Sequence, residues 1–168
     1  GMANLKDVLT GVLTPSLRAS WDRLATLPGG KKMFSRMVGI LAPYSGTIGA
    51  EIVELRRGYC RAVMKDARRV RNHLNSIHAM ALVNLAEVSS GVGMLYSLPD
   101  GARGILTCFS VSYEKKARGT IAAECTFEPV QTTERHEREF NVILTNDQGD
   151  VVATATAKWL IGPSEKKQ

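Results

Sequence analysis

The stretch NHLNSIHAMALVNLAE, residues 72–87, decides the fold: Asn72, His78 and Glu87 interrupt an otherwise apolar helical run. From His78 to Glu87 is nine steps along the chain. At about 100° per residue these steps turn a helix by about 900°, so the two side chains leave on opposite faces. The axial rise separates them by a further ~13.5 Å. An imidazole and a carboxylate that serve one site therefore call for two copies of this helix, and the segment reads as half of a site completed by a second copy of the chain.

The helix extends from about His78 to about Leu95. Its apolar residues (Met80, Ala81, Leu82, Val83, Leu85, Ala86, Val88, Val92, Met94 and Leu95) surround the axis and do not form a single stripe, so it must be buried nearly all round. Four runs of strand character follow and can wrap it: Gly104 to Tyr113, Thr120 to Glu128, His136 to Thr145 and Asp150 to Leu160. Period-two alternation puts Ile105, Thr107, Phe109, Val111 and Tyr113 on one face of the first run, and Ile121, Ala123, Cys125 and Phe127 on one face of the second. In the last run Ala153, Ala155, Ala157 and Trp159 alternate with Val152, Thr154, Thr156 and Lys158, and the small side chains predict a closely packed helix. Residues 146–149, Asn-Asp-Gln-Gly, supply a hairpin turn.

Upstream, Asn4 to Ala42 reads as helical, with Leu17, Trp21 and Leu24 and then Met33, Met37, Ile40 and Leu41 at helical spacing. Pro28, Gly29 and Gly30 break it into two. Such a pair is a lid over a greasy pocket or a pad packed on the domain. Pro43 to Gly46 closes this section. Thr47 to Leu55 and Tyr59 to Lys65 then alternate as two strands, turned by Arg56, Arg57 and Gly58. The order is two helices, two strands, one buried helix and four strands, with no βαβ rhythm. This predicts an α+β fold, an antiparallel sheet curled around a helix.

A chain of 168 residues with 44% hydrophobic content fits one globular domain. No stretch approaches the roughly 18 uninterrupted apolar residues of a membrane span, and the N-terminus lacks a secretory core, so a cytoplasmic protein is expected. Gly1 ahead of Met2 reads as a remnant of a removed tag and is set aside. Cys60, Cys108 and Cys125 are far apart and form no CxxC pair, which argues against a disulfide framework or a zinc site and for buried free thiols. The net charge of +6 is concentrated between Arg56 and Arg71, where seven Lys and Arg face a single acid, Asp66. Such a cluster is a solvated or dimer-edge face first and a phosphate-binding face second. With Tyr59 the only aromatic in it, the stacking platform of a single-strand nucleic-acid binder is missing.

The element order and residues 72–87 resemble the hotdog fold, and specifically the phenylacetate-type acyl-CoA thioesterases together with an uncharacterised domain family close to them. The resemblance covers roughly residues 46–161, leaving 1–45 as an N-terminal helical extension and 162–168 as a polar tail. In that group an Asn precedes a His-Gly-Gly motif at the start of the central helix, and a carboxylate follows two to three turns in. Asn72, His78 and Glu87 match those positions, and Ala79 and Met80 stand in place of the two glycines. The resemblance implies thioester hydrolysis in a homodimer or dimer of dimers. By this resemblance Glu87 of one copy would act as base on water or attack directly, the Ala79 N–H and the Asn72 amide would stabilise the oxyanion, and His78 would orient the loop or the substrate. Thr107, beside Leu106, is the candidate assisting residue. Arg68, Arg69 and Arg71 are candidates for the phosphates of coenzyme A, which enters as part of the substrate. No separate cofactor and no metal are implied.

Each residue also has a plainer reading. His78 can bond a neighbouring carbonyl at a helix start, Asn72 can shape a turn, Asn75 or Ser76 can cap the helix, and Ser89, Ser90 or a basic side chain can satisfy Glu87. Met80 and Leu106 favour a second function, a hotdog domain that binds acyl groups or CoA esters without cleaving them. A hydratase ranks below both, because no Asp and His pair stands at the short spacing it uses.

Overall fold

The computed structural model describes residues 15–164. The helical start expected at Asn4 and the last residues of the polar tail, 165–168, lie outside them. Two helices lead, α1 (Pro15–Leu24) and α2 (Gly30–Leu41), followed by a helical turn, α3 (Pro43–Gly46). Strands β1 (Glu51–Arg56) and β2 (Tyr59–Met64) form the first hairpin. A 3-10 turn at Arg68–Val70 then leads to the long helix α4 (Ala79–Ser97). Strands β3 (Ala102–Tyr113), β4 (Ile121–Thr126), β5 (His136–Thr145) and β6 (Val151–Pro163) complete the chain.

The six strands make one antiparallel sheet in the order β1-β2-β4-β5-β6-β3, curled around α4 as the sequence predicts. By length and composition α4 would qualify as a membrane span, but two-thirds of it, 67%, is buried within the fold, as befits a core helix. Small residues let the sheet close on it. A Cβ at Gly93 would stand 3.0 Å from the Cys60 side chain and 3.2 Å from the Phe127 ring. On β6 the row Ala153, Ala155, Ala157, Trp159 and Ile161 is buried, as its alternation predicts. Asn146 to Gly149 turns the β5–β6 hairpin, with Gly149 in the left-handed region at φ 84°.

The helices α1 and α2 are packed on the sheet and on the end of α4. Trp21 meets Phe34 edge-on at 5.1 Å between centroids. The Arg18 guanidinium donates to the carbonyls of Tyr96 in the last turn of α4 and of Leu98, its C-cap, where unpaired carbonyls favour a cation.

Three expectations are corrected. The strand expected from Thr47 begins only at Glu51, because the N–H groups of Thr47 and Gly49 bond back to Tyr44 and Gly46 (3.1 and 3.2 Å) and extend the turn. The β3–β6 register shifts between Leu106 and Cys108, making Thr107 the extra residue of a β-bulge. Leu106, Phe109 and Val111 therefore pack on the core while Ile105 is exposed, so Ile105 does not share their face. Cys60 and Cys125 are buried free thiols as expected, but Cys108, beside the bulge, is exposed.

Candidate active site

Residues 70–78 form a bracketed loop that sets up the start of α4. The N–H of Ile77 donates to Ala117 (2.8 Å) and that of His78 to Val70 (2.7 Å), pinning the loop to the structure on either side. Asn72 shapes it from within: its Oδ1 accepts from the N–H groups of Leu74 (3.0 Å) and Ser76 (3.1 Å), and its own N–H donates to the Ser76 carbonyl (2.8 Å). Asn75 completes the turn at φ 57°, a left-handed conformation that Asn tolerates better than most residues.

His78 itself caps the helix. Its backbone is extended (φ −63°, ψ 137°), and its Nδ1 accepts the Met80 N–H at 3.0 Å, displacing Asn75 and Ser76 from the capping role expected of them. To accept that bond Nδ1 must carry no proton, so the neutral ring holds its hydrogen on Nε2, at the exposed end of the side chain. The next N–H, that of Ala79, has no acceptor among the described residues. It is an unpaired donor at the positive end of a 19-residue helix.

Glu87 lies nine residues further along, half-buried, and within one copy of the chain it does not meet His78 or Ala79. No hydrogen bond or ion pair reaches its carboxylate among the described residues. Ser89 and Ser90 donate instead to the main-chain carbonyls of Ala86 (2.9 Å) and Glu87 (3.0 Å). Burial with no compensating donor raises the carboxyl pKa above its ordinary value. The carboxylate and the Trp159 indole lie together against Gly91: a Cβ on Gly91 would be 3.5 Å from Glu87 Oε1 and 3.4 Å from Trp159 Cζ2. The Trp159 Nε1 is itself buried without a partner.

Asn72 and Ala79 do come together, on the wall of a cleft of about 320 Å³ shared with Ser76, Tyr113, Lys115 and Lys116. Reading the sequence for function passes over these last residues. The Ser76 side chain is 3% exposed and its Oγ has no partner. The Tyr113 hydroxyl donates to the Ala79 carbonyl at 2.9 Å. The only sequence signal for Tyr113 is its place at the end of the alternating face of β3.

Thr107 stands on the bulge, exposed, its hydroxyl donating to the Lys158 carbonyl (3.1 Å). The basic run is partly spent on structure. Arg71 pairs with Asp66 at 2.6 Å and holds that carboxyl below its usual pKa. Arg69 reaches the Ile48 carbonyl at 3.4 Å, and Arg68 is exposed with neither a hydrogen bond nor an ion pair among the described residues. No group of three or more metal-ligating side chains is found among the described residues.

An antiparallel sheet wrapped around one buried helix, with the loop and lone carboxylate described above, defines a protein of the hotdog fold. Residues 30–161 match the model of a family described as a domain of unknown function, DUF4442, and the chain belongs to that family. It is similar in structure to the genomics target APC5556 over 88% of this chain and 99% of that one, with a TM-score of 0.76 and 29% identity. It also resembles a protein of unknown function from Pseudomonas aeruginosa described as a probable thioesterase, over 82% of this chain and 97% of that one (TM-score 0.70, 24% identity). A thioesterase family protein from Silicibacter pomeroyi matches over 82% of this chain and 100% of that one, at TM-score 0.66 and 18% identity. No functionally curated protein matches the sequence.

Proposed function

We propose that the chain is a homodimeric thioesterase that hydrolyses an acyl-CoA at a site built from α4 of one copy and the loop before α4 of the other. The observation that carries this reading is Glu87, a half-buried carboxylate with a raised pKa and no partner among the described residues, on the same helix whose start offers the Ala79 N–H, likewise unpaired among them. Structures cost free energy to keep such groups unpaired, and those groups concentrate where chemistry is done.

In this mechanism Glu87 takes a proton from water as the water oxygen attacks the thioester carbonyl carbon. The negative charge that gathers on the carbonyl oxygen is met by the Ala79 N–H of the other copy, aided by the helix dipole. The His78 Nε2–H and the Asn72 amide N–H, whose partner oxygen is already occupied by the loop, orient the substrate. Collapse of the tetrahedral intermediate breaks the C–S bond, and the departing thiolate recovers the proton from the Glu87 carboxyl. The products are a carboxylic acid and coenzyme A, whose phosphates Arg68 is best free to meet. Thr107, its hydroxyl turned to a main-chain carbonyl, has at most a supporting part.

The second copy is drawn from the β3 edge. This 12-residue strand pairs with β6 alone, and an open strand edge of that length is a template for another chain. A second reading, acyl-CoA binding without cleavage, is favoured by Met80. This side chain, 54% exposed, stands next to the proposed oxyanion donor. Thiol release from a panel of acyl-CoAs, comparing parent with Glu87→Gln, separates the two: equal rates sink the proposed base, and binding without turnover selects the second reading. Sedimentation tests the shared site, since a chain monomeric at working concentration cannot form it.

A further inference from the structure

A larger cavity, about 680 Å³, lies on the other side of the fold's helical extension, between α2, the α3 turn, β1 and α4. Neither Glu87 nor the loop before α4 lines it. Its apolar surface comes from Val38 and Ile40 of α2, Pro43 of α3 and Ala50 just before β1, with the buried Ile52 and Val88 beneath them. Two contacts keep it open as a defined cleft. Ser35 bridges its walls, its hydroxyl donating to the Lys31 carbonyl (2.7 Å) while accepting the Ile52 N–H (2.8 Å). At the far end of α2, Gly39 packs on Gly46 so closely that a Cβ on Gly46 would stand 2.7 Å from the Gly39 carbonyl oxygen.

The rim carries charge with no structural employment. Lys32 and Arg36, one turn apart on the cleft-facing side of α2, are exposed and make no hydrogen bond or ion pair among the described residues, while one acid, Glu51, lines the β1 side. The excess is cationic, at the mouth of an apolar cleft. No aromatic side chain lines the cavity, so nothing there stacks on a nucleotide base. The volume falls within the ordinary range of small-molecule sites, about 300–1,000 Å³. At about 30 Å³ for a methylene, taken as the size of a water, an alkyl chain of roughly 12 carbons fills about half of it and leaves the mouth open.

We propose that this cleft is a fatty-acid site: the alkyl chain lies on Val38, Ile40 and Ala50, and the carboxylate meets Lys32 and Arg36 at the rim. The site is separate from the proposed hydrolytic centre and does not rest on that reading. It also gives the helical extension a double character, a pad where Leu17, Trp21 and Phe34 are buried and a pocket wall where α2 faces β1.

The test is displacement of a fluorescent fatty acid, dansyl-undecanoic acid, from the full chain by dodecanoate and by dodecanol. Dodecanoate is expected to displace it and dodecanol to do so less well. Lys32→Glu with Arg36→Glu is expected to weaken dodecanoate about tenfold, the sum of two exposed charge interactions reversed in sign, and to leave dodecanol unchanged. Val38→Trp or Ala50→Phe, each filling the cleft, is expected to remove binding of both, with parent-like thermal melting showing that the fold is kept. Glu87→Gln is expected to bind as the parent does, so a failure of hydrolysis and a failure of this site are read separately. The proposal is overturned if the parent does not bind dodecanoate, or if a folded cleft-filled variant binds it as the parent does. It is likewise overturned if the protein sediments with anionic phospholipid vesicles but free dodecanoate displaces nothing.

Discussion

Replacing Glu87 by glutamine is expected to stabilise the fold and to silence its chemistry at once. The carboxylate is half-buried on α4, no donor among the described residues reaches it, and burial alone raises its pKa. A carboxyl whose pKa is higher folded than unfolded binds more protons in the folded state. Stability therefore falls as pH climbs from the unfolded value of about 4.3 through the raised folded value, and stays lowered above it. Each unit of that rise corresponds to about 1.4 kcal/mol. The amide of glutamine has the same shape and no charge to desolvate, so the penalty disappears, although one buried polar group remains. For a chain of this size about 1 kcal/mol moves the melting midpoint by roughly 2–4 °C. Glu87→Gln should therefore melt above the parent at pH 8 and close to it at pH 4, where the carboxyl is mostly protonated in both states. Loss of the proposed general base should lower thiol release by about 10²–10⁴-fold. Circular-dichroism melts at pH 4, 6 and 8, run beside the acyl-CoA assay, measure both. If the variant melts no higher than the parent at pH 8, the carboxylate is paired in solution and the argument for a desolvated base is wrong.

Ala79→Pro removes the unpaired N–H while proline suits the first position of a helix, and the extended His78 backbone (φ −63°, ψ 137°) accepts a following proline. Melting should stay near the parent's while hydrolysis drops by about 10²–10³-fold; retained activity would remove Ala79 from the oxyanion role. With a chromogenic disulfide reagent the native protein should yield Cys108 alone and the denatured protein all three thiols, since burial pushes the Cys60 thiol up and the Cys125 thiol to about 12. Rapid labelling of more than one native thiol would contradict the packing of β2 on β4. Gly58→Ala places a side chain at φ 80° and a Cβ 2.5 Å from the Phe127 carbonyl oxygen. It should cost more than ~1–2 kcal/mol in urea unfolding, and an unchanged midpoint would mean that this turn relaxes freely.

The parts legible from the sequence are those where local pattern and tertiary burial agree. Helix α4 is apolar on every side, and the strand-rich segments around it supply the sheet that buries such a helix. The alanine row of β6 and the Asn146–Gly149 turn carry their period and turn chemistry openly. The bulge at Thr107 is not legible, because Ile105, Thr107, Phe109 and Val111 alternate without a break in sequence while the ladder to β6 slips by one residue. The delayed start of β1 is hidden for a similar reason: residues 47–50 alternate like a strand, but α3 captures the N–H groups of Thr47 and Gly49. At the site, residue types pointed to Asn72, His78 and Glu87, yet sequence could not say how each is employed. That Asn72 spends its oxygen on the loop, that His78 spends Nδ1 on the helix cap, and that Ser76 and Trp159 keep buried polar atoms unpaired all depend on contacts between distant segments.

Two costs left standing in a single copy have one common remedy. Met80, Val83 and Glu87 recur at i, i+3 and i+7 on the side of α4 that the sheet leaves least covered: Met80 is exposed, and Val83 and Glu87 are half-buried. Strand β3, meanwhile, leaves one edge of its 12 residues unpaired. A two-fold partner joined through β3 would extend the sheet, cover the apolar stripe and set the helices antiparallel, so that the Glu87 turn of each approaches the Ala79 start of the other. Covering the stripe also removes water from the carboxylate, so dimerisation by this route raises the Glu87 pKa further and links assembly to the competence of the base. The pH at which hydrolysis rises should then shift upward as the protein is concentrated through its dimer dissociation constant. A profile independent of protein concentration across that range would separate the carboxylate from the interface.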